Sequence, residues 1–523
     1  CDLVNLYHGG QYQLYKYHKY ADARIVFAPE KASASFGGDP DNFNFPRYDL
    51  DMGLIRVYEN GKPAKIGNHF AFSKNGAQEN EMVFVTGHPG STQRQLTVAQ
   101  LLSLRDIGLI DRLLRLAELR GVVEQYRQTG AEAERVGEGL INSVENSYKA
   151  LYGELQTLLD AQFMQRKQNE ELALRQFVAA RPELQAKIGG AWDAIEQAQI
   201  AYRQQYKPFS FIEGSAAFMS THFKYARMLV RAAQEKTKPN AERLPEYADA
   251  RLPMVEQALL AGEPVHPDFE KVQLNFSLTK AREILGSDHP FIQRVLGKAS
   301  PEQLAERMIK NSKLADLKAR KALWDGGLAA IQKSDDPFIQ LALAIDPEAR
   351  ALRKRFENEV TSVISKNSEL VAQARFAQTG TDAYPDATFT LRLSYGKVKG
   401  WDEAGKPVAP FADFGGAFAR DTGADPYALP ASWHAAKSRL NLKQPFNFVS
   451  DNDIIGGNSG SPMINQKGEI VGLAFDGNIH SLGGAFWFDP RVNRTVAVHS
   501  GGILEALDKI YDAKELLKEI DGK

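Results

Sequence analysis

Seven residues near the end of this 523-residue chain, Gly456-Gly457-Asn458-Ser459-Gly460-Ser461-Pro462, carry the most information about its architecture. Glycines on both sides of Ser459 permit unusual backbone dihedral angles and let another chain approach closely. A serine on such a tight turn exposes its hydroxyl, and backbone N–H groups converge beside it. The commonplace alternative is a Gly/Ser-rich loop between strands. The residue order, the closing proline and the hairpin pattern that follows favour an exposed nucleophile.

The same seven residues resemble the G-[DN]-S-G-[GS]-P signature of chymotrypsin-like peptidases. In that fold the N–H groups of the serine and of the residue two positions before it bind the developing oxyanion. The resemblance therefore implies that Ser459 is the nucleophile and that Gly457 and Ser459 form the oxyanion hole.

A candidate triad aspartate opens the stretch Asp51-Met52-Gly53-Leu54-Ile55, which fits the D-[IL]-[AG]-L-[IL] pattern of such barrels. Triad chemistry needs a buried carboxylate that orients the imidazole and stabilises its charged form. The pattern predicts that Asp51 begins a strand that continues through Val57. Asp49 is the competing carboxylate, and the predicted strand register favours Asp51.

The chain shows no histidine in the expected sequence setting. The order in this fold is His, Asp, Ser, and only His8 and His18 precede the aspartate. His88 comes too late in the chain, and nothing marks His499 as a general base. Because Cys1 stands where a methionine or signal peptide is expected, we expect an N-terminal truncation with the catalytic histidine upstream. A serine without its base predicts little or no activity for this chain alone.

Changes in composition and in apolar spacing along the sequence predict four segments. Residues 1–95 hold short apolar runs separated by Gly and Pro turns, as in a β-barrel or sandwich. Residues 96–385 are rich in Leu, Ala and Glu, with apolar residues at helical spacing. Their leucine stripes are best explained as packing between helices. Strand patterns return in 386–500, and an amphipathic helix is predicted within 501–523. Alternation in the third segment predicts one apolar strand face at Phe389, Leu391, Leu393 and Tyr395.

Composition excludes several classes of protein. The formal net charge of -1 gives no argument for binding nucleic acid. No apolar run reaches the roughly 18 to 20 residues that cross a bilayer. Cys1 is the single cysteine, so no disulfide forms within the chain, and His and carboxylates show no metal-ligand spacing. We therefore expect no cofactor, no metal, no nucleic-acid partner and no membrane span.

Across nearly its full length the chain resembles the bacterial dipeptidyl-peptidase seven/eleven family. The resemblance implies a multidomain α+β fold, with a chymotrypsin-like double β-barrel and a large all-α domain inserted between the barrels. The separation of 408 positions from Asp51 to Ser459 agrees with such an insertion. The matching stretches are Cys1-Asp2-Leu3-Val4-Asn5-Leu6-Tyr7, Gly37-Gly38-Asp39-Pro40-Asp41-Asn42-Phe43, Phe45-Pro46-Arg47, Gly87-His88-Pro89-Gly90-Ser91-Thr92 and Asp453-Ile454-Ile455-Gly456-Gly457-Asn458-Ser459-Gly460-Ser461-Pro462.

The same resemblance implies a serine exopeptidase that removes dipeptides from peptides with a free N-terminus. Such an enzyme must hold the substrate ammonium with hydrogen-bond acceptors. The family pattern places Asn42, Phe43 and Asp476 in this role, and Asn146 is the candidate from the helical region. Relatives often have Trp where this chain has Phe43. The family also implies a homodimer and a periplasmic, cell-surface or secreted location.

Substrate preference is predicted from Gly477, where relatives that favour acidic residues carry Arg. A glycine predicts an open, uncharged pocket, and hence large apolar or aromatic residues at the second substrate position. Asp453 argues for Lys or Arg instead, since it lies six residues before the serine, as the specificity acid of trypsin-like enzymes does. The family has Asp there without that preference, so Gly477 decides the prediction.

Two other interpretations stay open at this stage. A trypsin-like endopeptidase, with the helical insertion as a lid, predicts cleavage of N-blocked peptides. A non-catalytic binding protein on a degenerate peptidase scaffold predicts no cleavage at all, and its one support is the absent histidine.

Overall fold

The computed structural model of the chain describes residues 1–380, 382 and 384–522. Its residues form two compact units. The sheet unit consists of Cys1–Ile110, Asn146–Trp192 and Ser368–Lys523, and the helical unit consists of Asp111–Glu145 and Asp193–Asn367. The four sequence segments proposed above stay a prediction.

All strands lie in the sheet unit. They run over β1 Asp2–Leu6, β2 Gln11–Tyr15, β3 Asp22–Phe27, β4 Leu54–Glu59, β5 Lys62–Pro63, β6 Ala71–Phe72, β7 Met82–Gly87, β8 Arg392–Lys397, β9 Trp401–Glu403, β10 Lys406–Val408, β11 Phe411–Asp413, β12 Pro445–Ser450, β13 Pro462–Asn465, β14 Glu469–Gly477 and β15 Thr495–His499.

The main sheet has eight strands, in the order β11-β12-β15-β14-β13-β7-β8, with β6 parallel to β14. Strand β7 comes from the first part of the chain, yet it lies between β13 and β8 from the last part. Three smaller sheets are β1-β2, β9-β10 and β3-β4-β5. Long-range pairing of β7 with β13 therefore joins the two β-rich ends of the sequence.

The predicted pair of closed barrels is not confirmed, because the sheets are open. The pairing of β8 with β7 ends at Lys397. Beyond it, an isolated bridge between Val398 and Ser450 connects the end of β8 to β12. The strand pattern at 389–395 is confirmed for Arg392–Lys397, but its apolar face is exposed. Tyr395 on this face is 71% exposed, and β8 ends the strand order of the main sheet in the described part of the chain.

Helices occupy both units. The α-helices are α1 Lys31–Ala34, α2 Gly38–Asp41, α3 Val98–Ser103, α4 Ile110–Arg127, α5 Ala131–Leu159, α6 Ala161–Ala179, α7 Pro182–Ile188, α8 Ala191–Pro208, α9 Thr221–Glu235, α10 Leu252–Leu259, α11 Pro267–Leu285, α12 Pro290–Leu296, α13 Pro301–Asn311, α14 Leu317–Lys333, α15 Pro337–Phe356, α16 Ser362–Thr379, α17 Phe414–Arg420, α18 Ala431–Ala436, α19 Ser500–Lys509 and α20 Lys514–Ile520. Wider, π-type turns follow three of the helices at Leu104–Leu109, Phe209–Glu213 and Glu357–Thr361.

Prolines mark several of the helix boundaries. Pro182 and Pro301 begin α7 and α13, where a missing N–H costs nothing, and Pro208 ends α8. The amphipathic helix predicted within 501–523 is interrupted in the structure. It is divided into α19 and α20 because Asp512 adopts a left-handed conformation with φ of 47°.

Each unit has its own apolar core. The helical unit buries side chains of α9, α11, α13 and α15, such as Phe223, Leu274 and Phe338. A second cluster there holds Val123 with Leu116 packed against it, which confirms that the leucine stripe is core packing. In the sheet unit, one cluster surrounds Trp433 and another lies between the strands of the main sheet.

Within the described residues, no helix is long and apolar enough to cross a bilayer.

Candidate active site

The serine turn, residues 456–462, lies between β12 and β13. Backbone hydrogen bonds hold it: the Gly460 N–H donates to Ala474 O at 2.7 Å, and the Ser461 N–H donates to Asn458 O at 2.8 Å. Gly457 has a φ of 107°, and a Cβ there would lie 2.5 Å from the His88 carbonyl oxygen. Glycine is therefore required at 457 both by the backbone conformation and by the close approach of residue 88.

Ser459 is exposed at the tip of this turn. Its Oγ donates to the carbonyl oxygen of Phe475 on β14, at 3.3 Å. In the part of the chain that the structure describes, the backbone N–H groups of Gly457 and Ser459 donate no hydrogen bond within the protein. This arrangement leaves two unpaired donors beside an accessible hydroxyl, as an oxyanion hole needs.

Asp476, the residue after Phe475, contacts the segment that carries the other predicted binding residues. Its Oδ2 accepts the Phe43 backbone N–H at 3.0 Å and a bond from Arg47 Nη1, while its Oδ1 accepts its neighbour Gly477's N–H at 2.7 Å. Its side chain is only 7% exposed. Two consecutive residues of β14 thus contact the serine turn and the Phe43 backbone.

The acceptor loop, residues 37–44, includes α2 and carries Asn42 and Phe43. Phe43 adopts a left-handed conformation with φ of 64°, which is strained for a side chain of this size. Asn42 Nδ2 donates to Asn146 Oδ1 on α5 at 3.0 Å. The Asn42 carbonyl oxygen is thereby left as an acceptor. The structure thus brings Asn42, Phe43, Asn146 and Asp476 into one hydrogen-bonded group.

Three cations hold the acceptor loop. Lys149 on α5 forms an ion pair with Asp39 at 3.0 Å. Arg420 on α17 binds both carboxylate oxygens of Asp41, one of them at 2.8 Å. Arg47 donates to the Asp41 carbonyl oxygen at 3.0 Å.

Gly477 is buried rather than open to solvent, contrary to the pocket expected from the sequence. A Cβ at this position would strike the Ser481 hydroxyl, which donates to Asn478 O at 2.6 Å. The space that the missing side chain leaves is therefore occupied by a small neutral group.

Asp453 is engaged in an ion pair. Arg94 contacts both of its carboxylate oxygens, at 2.5 and 2.9 Å, and the Tyr384 hydroxyl donates to it at 3.1 Å. The carboxylate that would attract a basic substrate residue thus already has a cationic partner.

The two candidate triad carboxylates occupy different environments. Asp49 is buried, and its Oδ2 accepts from Arg47 Nη2 at 2.9 Å while its Oδ1 has no partner. Burial raises the pKa of Asp49 to about 8, although Arg47 opposes this shift. Asp51 is exposed and lies three residues before β4, so the prediction that it opens the strand is wrong. Burial also raises the pKa of Asp476, and Arg47 counteracts that shift.

The histidine side chains do not complete a triad in the described part of the chain. Within residues 1–380, 382 and 384–522, no imidazole hydrogen-bonds to Ser459 or Asp51. His499 is buried against the Ala77 carbonyl oxygen at 3.1 Å, and burial lowers its pKa to about 4. The His88 ring lies near Phe389. The imidazoles that contact carboxylates are His8 with Asp386, His18 with Glu59, His222 with Glu270, His434 with Asp421 and His480 with Glu403.

Sequence reasoning missed Arg47, Lys149 and Arg420 as residues that hold the site together. Arg47 ends the family motif Phe45-Pro46-Arg47 and Lys149 lies three residues after Asn146, whereas no local signal marks Arg420. Over the described residues, no group of three or more His, Cys, Asp or Glu side chains is placed to hold a metal ion.

Comparison with protein families shows that residues 1–522 match the model of Peptidase S46. The chain is 27% identical to an Asp/Glu-specific dipeptidyl-peptidase of Shewanella putrefaciens, over all of this chain and 77% of the relative. It is 26% identical to dipeptidyl-peptidase 7 of Porphyromonas endodontalis, over 99% of this chain and 65% of the relative. It is also 26% identical to dipeptidyl-peptidase 7 of Phocaeicola vulgatus, over 98% of this chain and 74% of the relative.

Among solved structures, DPP11 of Porphyromonas endodontalis in complex with the dipeptide Arg-Glu matches with a TM-score of 0.78 at 21% identity. The match covers 99% of this chain and 77% of that one. The complex of the same protein with Arg-Asp has a TM-score of 0.77. These matches confirm the family resemblance drawn from the motifs, and the structural ones show a shared fold.

Proposed function

Because this chain belongs to the Peptidase S46 family, we propose that it is a serine-type dipeptidyl aminopeptidase. It would release dipeptides from the free N-terminus of peptides through an acyl-enzyme intermediate. The family supplies the peptidase class, and the geometry around Ser459 supports the exopeptidase assignment.

One observation carries the proposal: Phe475 contacts the nucleophile, and the next residue contacts the acceptor loop. Ser459 Oγ reaches the Phe475 carbonyl, while Asp476 binds the Phe43 backbone. An enzyme that cuts after the second residue must keep a fixed distance between its nucleophile and its ammonium site. Adjacent positions on one strand provide such a fixed distance.

In the proposed mechanism, Ser459 Oγ attacks the carbonyl carbon of the second substrate residue while an imidazole base takes the hydroxyl proton. The imidazolium then gives this proton to the amine of the remaining peptide as the C–N bond breaks and the amine leaves. The N–H groups of Gly457 and Ser459 stabilise the oxyanion of both tetrahedral intermediates, and water then hydrolyses the ester. Asp51 is the proposed triad carboxylate, because no hydrogen bond or ion pair in the described structure engages its carboxylate, which is able to accept an imidazole N–H. Asp49 already binds Arg47.

The substrate ammonium would be held by acceptors of the acceptor loop and β14. Asn42 offers its side-chain oxygen, since its amide nitrogen donates to Asn146. Asp476 supplies the negative charge. Phe43 contributes an apolar wall and, through its N–H, fixes Asp476. Charge-assisted hydrogen bonds of this kind are the stronger class and favour a free amine over an acetylated one.

For the second substrate residue we propose an apolar or aromatic side chain. Gly477 and the neutral Ser481 hydroxyl beside it supply no cation for an acidic side chain. Arg94 neutralises Asp453, which removes the attraction for Lys or Arg. The name of the Shewanella relative states the opposite preference, for Asp and Glu. A substrate panel therefore decides between the two.

The test uses the protein expressed from its complete coding sequence. Release of a fluorogenic group is measured from Gly-Phe, Gly-Glu and Gly-Arg substrates, beside N-acetyl-Gly-Phe and a Ser459→Ala control. We expect fastest cleavage of free Gly-Phe, with activity lost in the variant. Because no imidazole contacts Ser459 in the described residues, we expect the 523-residue chain alone to bind dipeptides but to turn over little.

Each alternative has its own result. Equal cleavage of the acetylated substrate would indicate an endopeptidase and remove the ammonium-binding role of Asn42 and Asp476. Fastest cleavage of Gly-Glu would overturn the apolar preference alone. No cleavage of any substrate would favour a binding protein.

We also infer, from the family resemblance alone, a periplasmic, cell-surface or secreted location and a homodimer. Cell fractionation with an antibody against the chain tests the location, and light scattering of the purified protein tests the oligomeric state.

A further inference from the structure

Arg47 lies at the junction of the candidate site, where three segments of the chain meet. Its side chain is 6% exposed. Nη1 donates to Asp476 Oδ2 and to the Asp41 carbonyl oxygen, and Nη2 donates to Asp49 Oδ2. One guanidinium thus ties β14, the acceptor loop and the segment that leads to Asp51.

The planar, forked shape of the guanidinium makes this bridge specific. Two nitrogens bind three acceptors on separate chain segments, which a single ammonium group does not reproduce. Asp476 is fixed at both oxygens, since Oδ1 accepts the Gly477 N–H and Oδ2 accepts from Arg47 and Phe43. Its rotation is therefore restricted before any substrate arrives.

Arg47 is surrounded by carboxyl groups. Asp49 and Asp476 contact it directly, and Asp51 lies within its electrostatic influence. Burial raises the pKa of Asp476, and the charge of Arg47 is the largest effect that lowers it. Asp49 is in turn affected by the charges of Asp51 and Asp476. Without the cation, burial would favour a protonated Asp476, and the backbone N–H groups of Phe43 and Gly477 alone would oppose this rise in its pKa.

We propose that Arg47 is a positioning residue of the ammonium subsite: it keeps Asp476 charged and aimed, and holds Asn42 and Phe43 in place through the Asp41 carbonyl. This inference rests on the proposed function, because it deepens the same site. Arg47 makes no contact with Ser459 in the described structure, so its effect is on binding of the free amine rather than on the attack itself.

The experiment measures binding, so that it does not depend on turnover. Gly-Phe and N-acetyl-Gly-Phe are titrated by calorimetry into the Ser459→Ala protein with Arg47 intact, Arg47→Met or Arg47→Lys. The Arg491→Met protein is the matched control, because Arg491 is 83% exposed and pairs only with nearby Asp489 in the described structure. Melting temperatures of all variants establish folding.

We expect Arg47→Met to weaken Gly-Phe binding about tenfold or more, with no change for N-acetyl-Gly-Phe. Arg47→Lys should weaken Gly-Phe binding about threefold, since Lys keeps the charge but lacks the planar, forked arrangement of N–H donors. The loss in Arg47→Met should shrink as pH rises, because Asp476 ionises at higher pH there. A merely structural role would not produce this pH dependence.

Unchanged Gly-Phe affinity in a folded Arg47→Met or Arg47→Lys protein would overturn the inference. Equal loss for both ligands would overturn it too, by showing a general structural effect. If Gly-Phe fails to bind even with Arg47 intact, the ammonium subsite itself is wrong, and the proposed function falls with it.

Discussion

The serine turn and the acceptor loop are built from different interactions, although both contact β14. Backbone hydrogen bonds hold the serine turn, such as Gly460 to Ala474, and glycines permit its conformation. Cationic side chains hold the acceptor loop: Lys149 and Arg420 form ion pairs with it, and Arg47 donates to its Asp41 carbonyl oxygen. The nucleophile is thus fixed by chain conformation, and the proposed ammonium site by charge.

This difference predicts different sensitivities. Backbone hydrogen bonds between uncharged groups do not titrate, so the geometry of the serine turn should be independent of pH. Ion pairs depend on protonation and are screened by salt where they are exposed. Changes at the serine turn should therefore act mainly on kcat, and changes at the acceptor loop mainly on KM.

The largest effect is expected from Gly457→Ala. The new Cβ would lie 2.5 Å from His88 O and 2.7 Å from Gly90 N, at a φ of 107° that disfavours alanine. Displacement of the N–H should lower kcat for Gly-Phe substrates by about 10²- to 10³-fold, as loss of an oxyanion donor does. Steady-state kinetics measure this change.

Gly460→Ala is the matched control for that substitution. Gly460 also has a positive φ, of 83°, but a Cβ there meets nothing within 4 Å. Because the added methyl group meets no neighbour, Gly460→Ala should lower kcat much less than Gly457→Ala does. Equal decreases in kcat in the two variants would show that backbone strain, and not the close contact with residues 88 and 90, is responsible.

A smaller effect is expected from Asp476→Asn, which keeps the shape but removes the charge. KM for the free-amine substrate should rise about 30-fold with little change in kcat, in line with the loss of a charged hydrogen bond. Kinetics with Gly-Phe and its acetylated twin measure the effect. A fall in kcat at unchanged KM would contradict an ammonium-binding role for Asp476.

Arg420→Met should have a modest effect. It removes both bonds to Asp41 and leaves a buried carboxylate supported by Tyr427 at 3.0 Å. Because Arg420 is 41% exposed, we expect substrate binding to weaken by about 1 kcal/mol, which raises KM roughly fivefold. Arg491→Met, which removes an exposed ion pair elsewhere, should leave KM unchanged. No change in Arg420→Met would mean that the acceptor loop holds its shape without this ion pair.

The last expected effect concerns the dependence of stability on pH, at Asp49, and not the kinetics. Burial raises its pKa to about 8, so the folded protein retains a proton that the unfolded chain releases near pH 4. Stability should therefore fall as pH rises between about 4 and 8. Asp49→Asn, which has no proton to lose, should melt at a higher temperature than the parent above pH 8.

Near pH 4 the two proteins should melt alike, apart from any effect that does not depend on pH. Thermal unfolding by circular dichroism from pH 4 to 9 measures the difference. A gap that narrows as pH rises would contradict a protonated Asp49 in the folded chain.

Local chemistry explains which parts of the molecule were predictable. Ser459 lies on the expected turn because glycines at 457 and 460 set that turn within seven residues. Prolines such as Pro182 and Pro301 marked helix starts for an equally local reason. The family resemblance named Asn42, Phe43 and Asp476, and the structure brings them together.

Long-range features were not predictable. Arg47 and Asp476 lie 429 residues apart, so no sequence window contains their ion pair. The apolar alternation ending at Tyr395 indicated a buried face, but which face of a strand is covered depends on its neighbours. Asp512 interrupts the last helix through a single left-handed residue that the amphipathic pattern does not show.

The one-residue step from Phe475 to Asp476 has a consequence for how a peptide would be consumed under the proposed function. Contacts at the nucleophile and at the amine site come from neighbouring residues of a strand, so each cycle would advance by the same length. An even-numbered peptide would be converted completely to dipeptides. An odd-numbered peptide would always leave one free amino acid, taken from its C-terminus. Parity of chain length would thus determine the mixture of products.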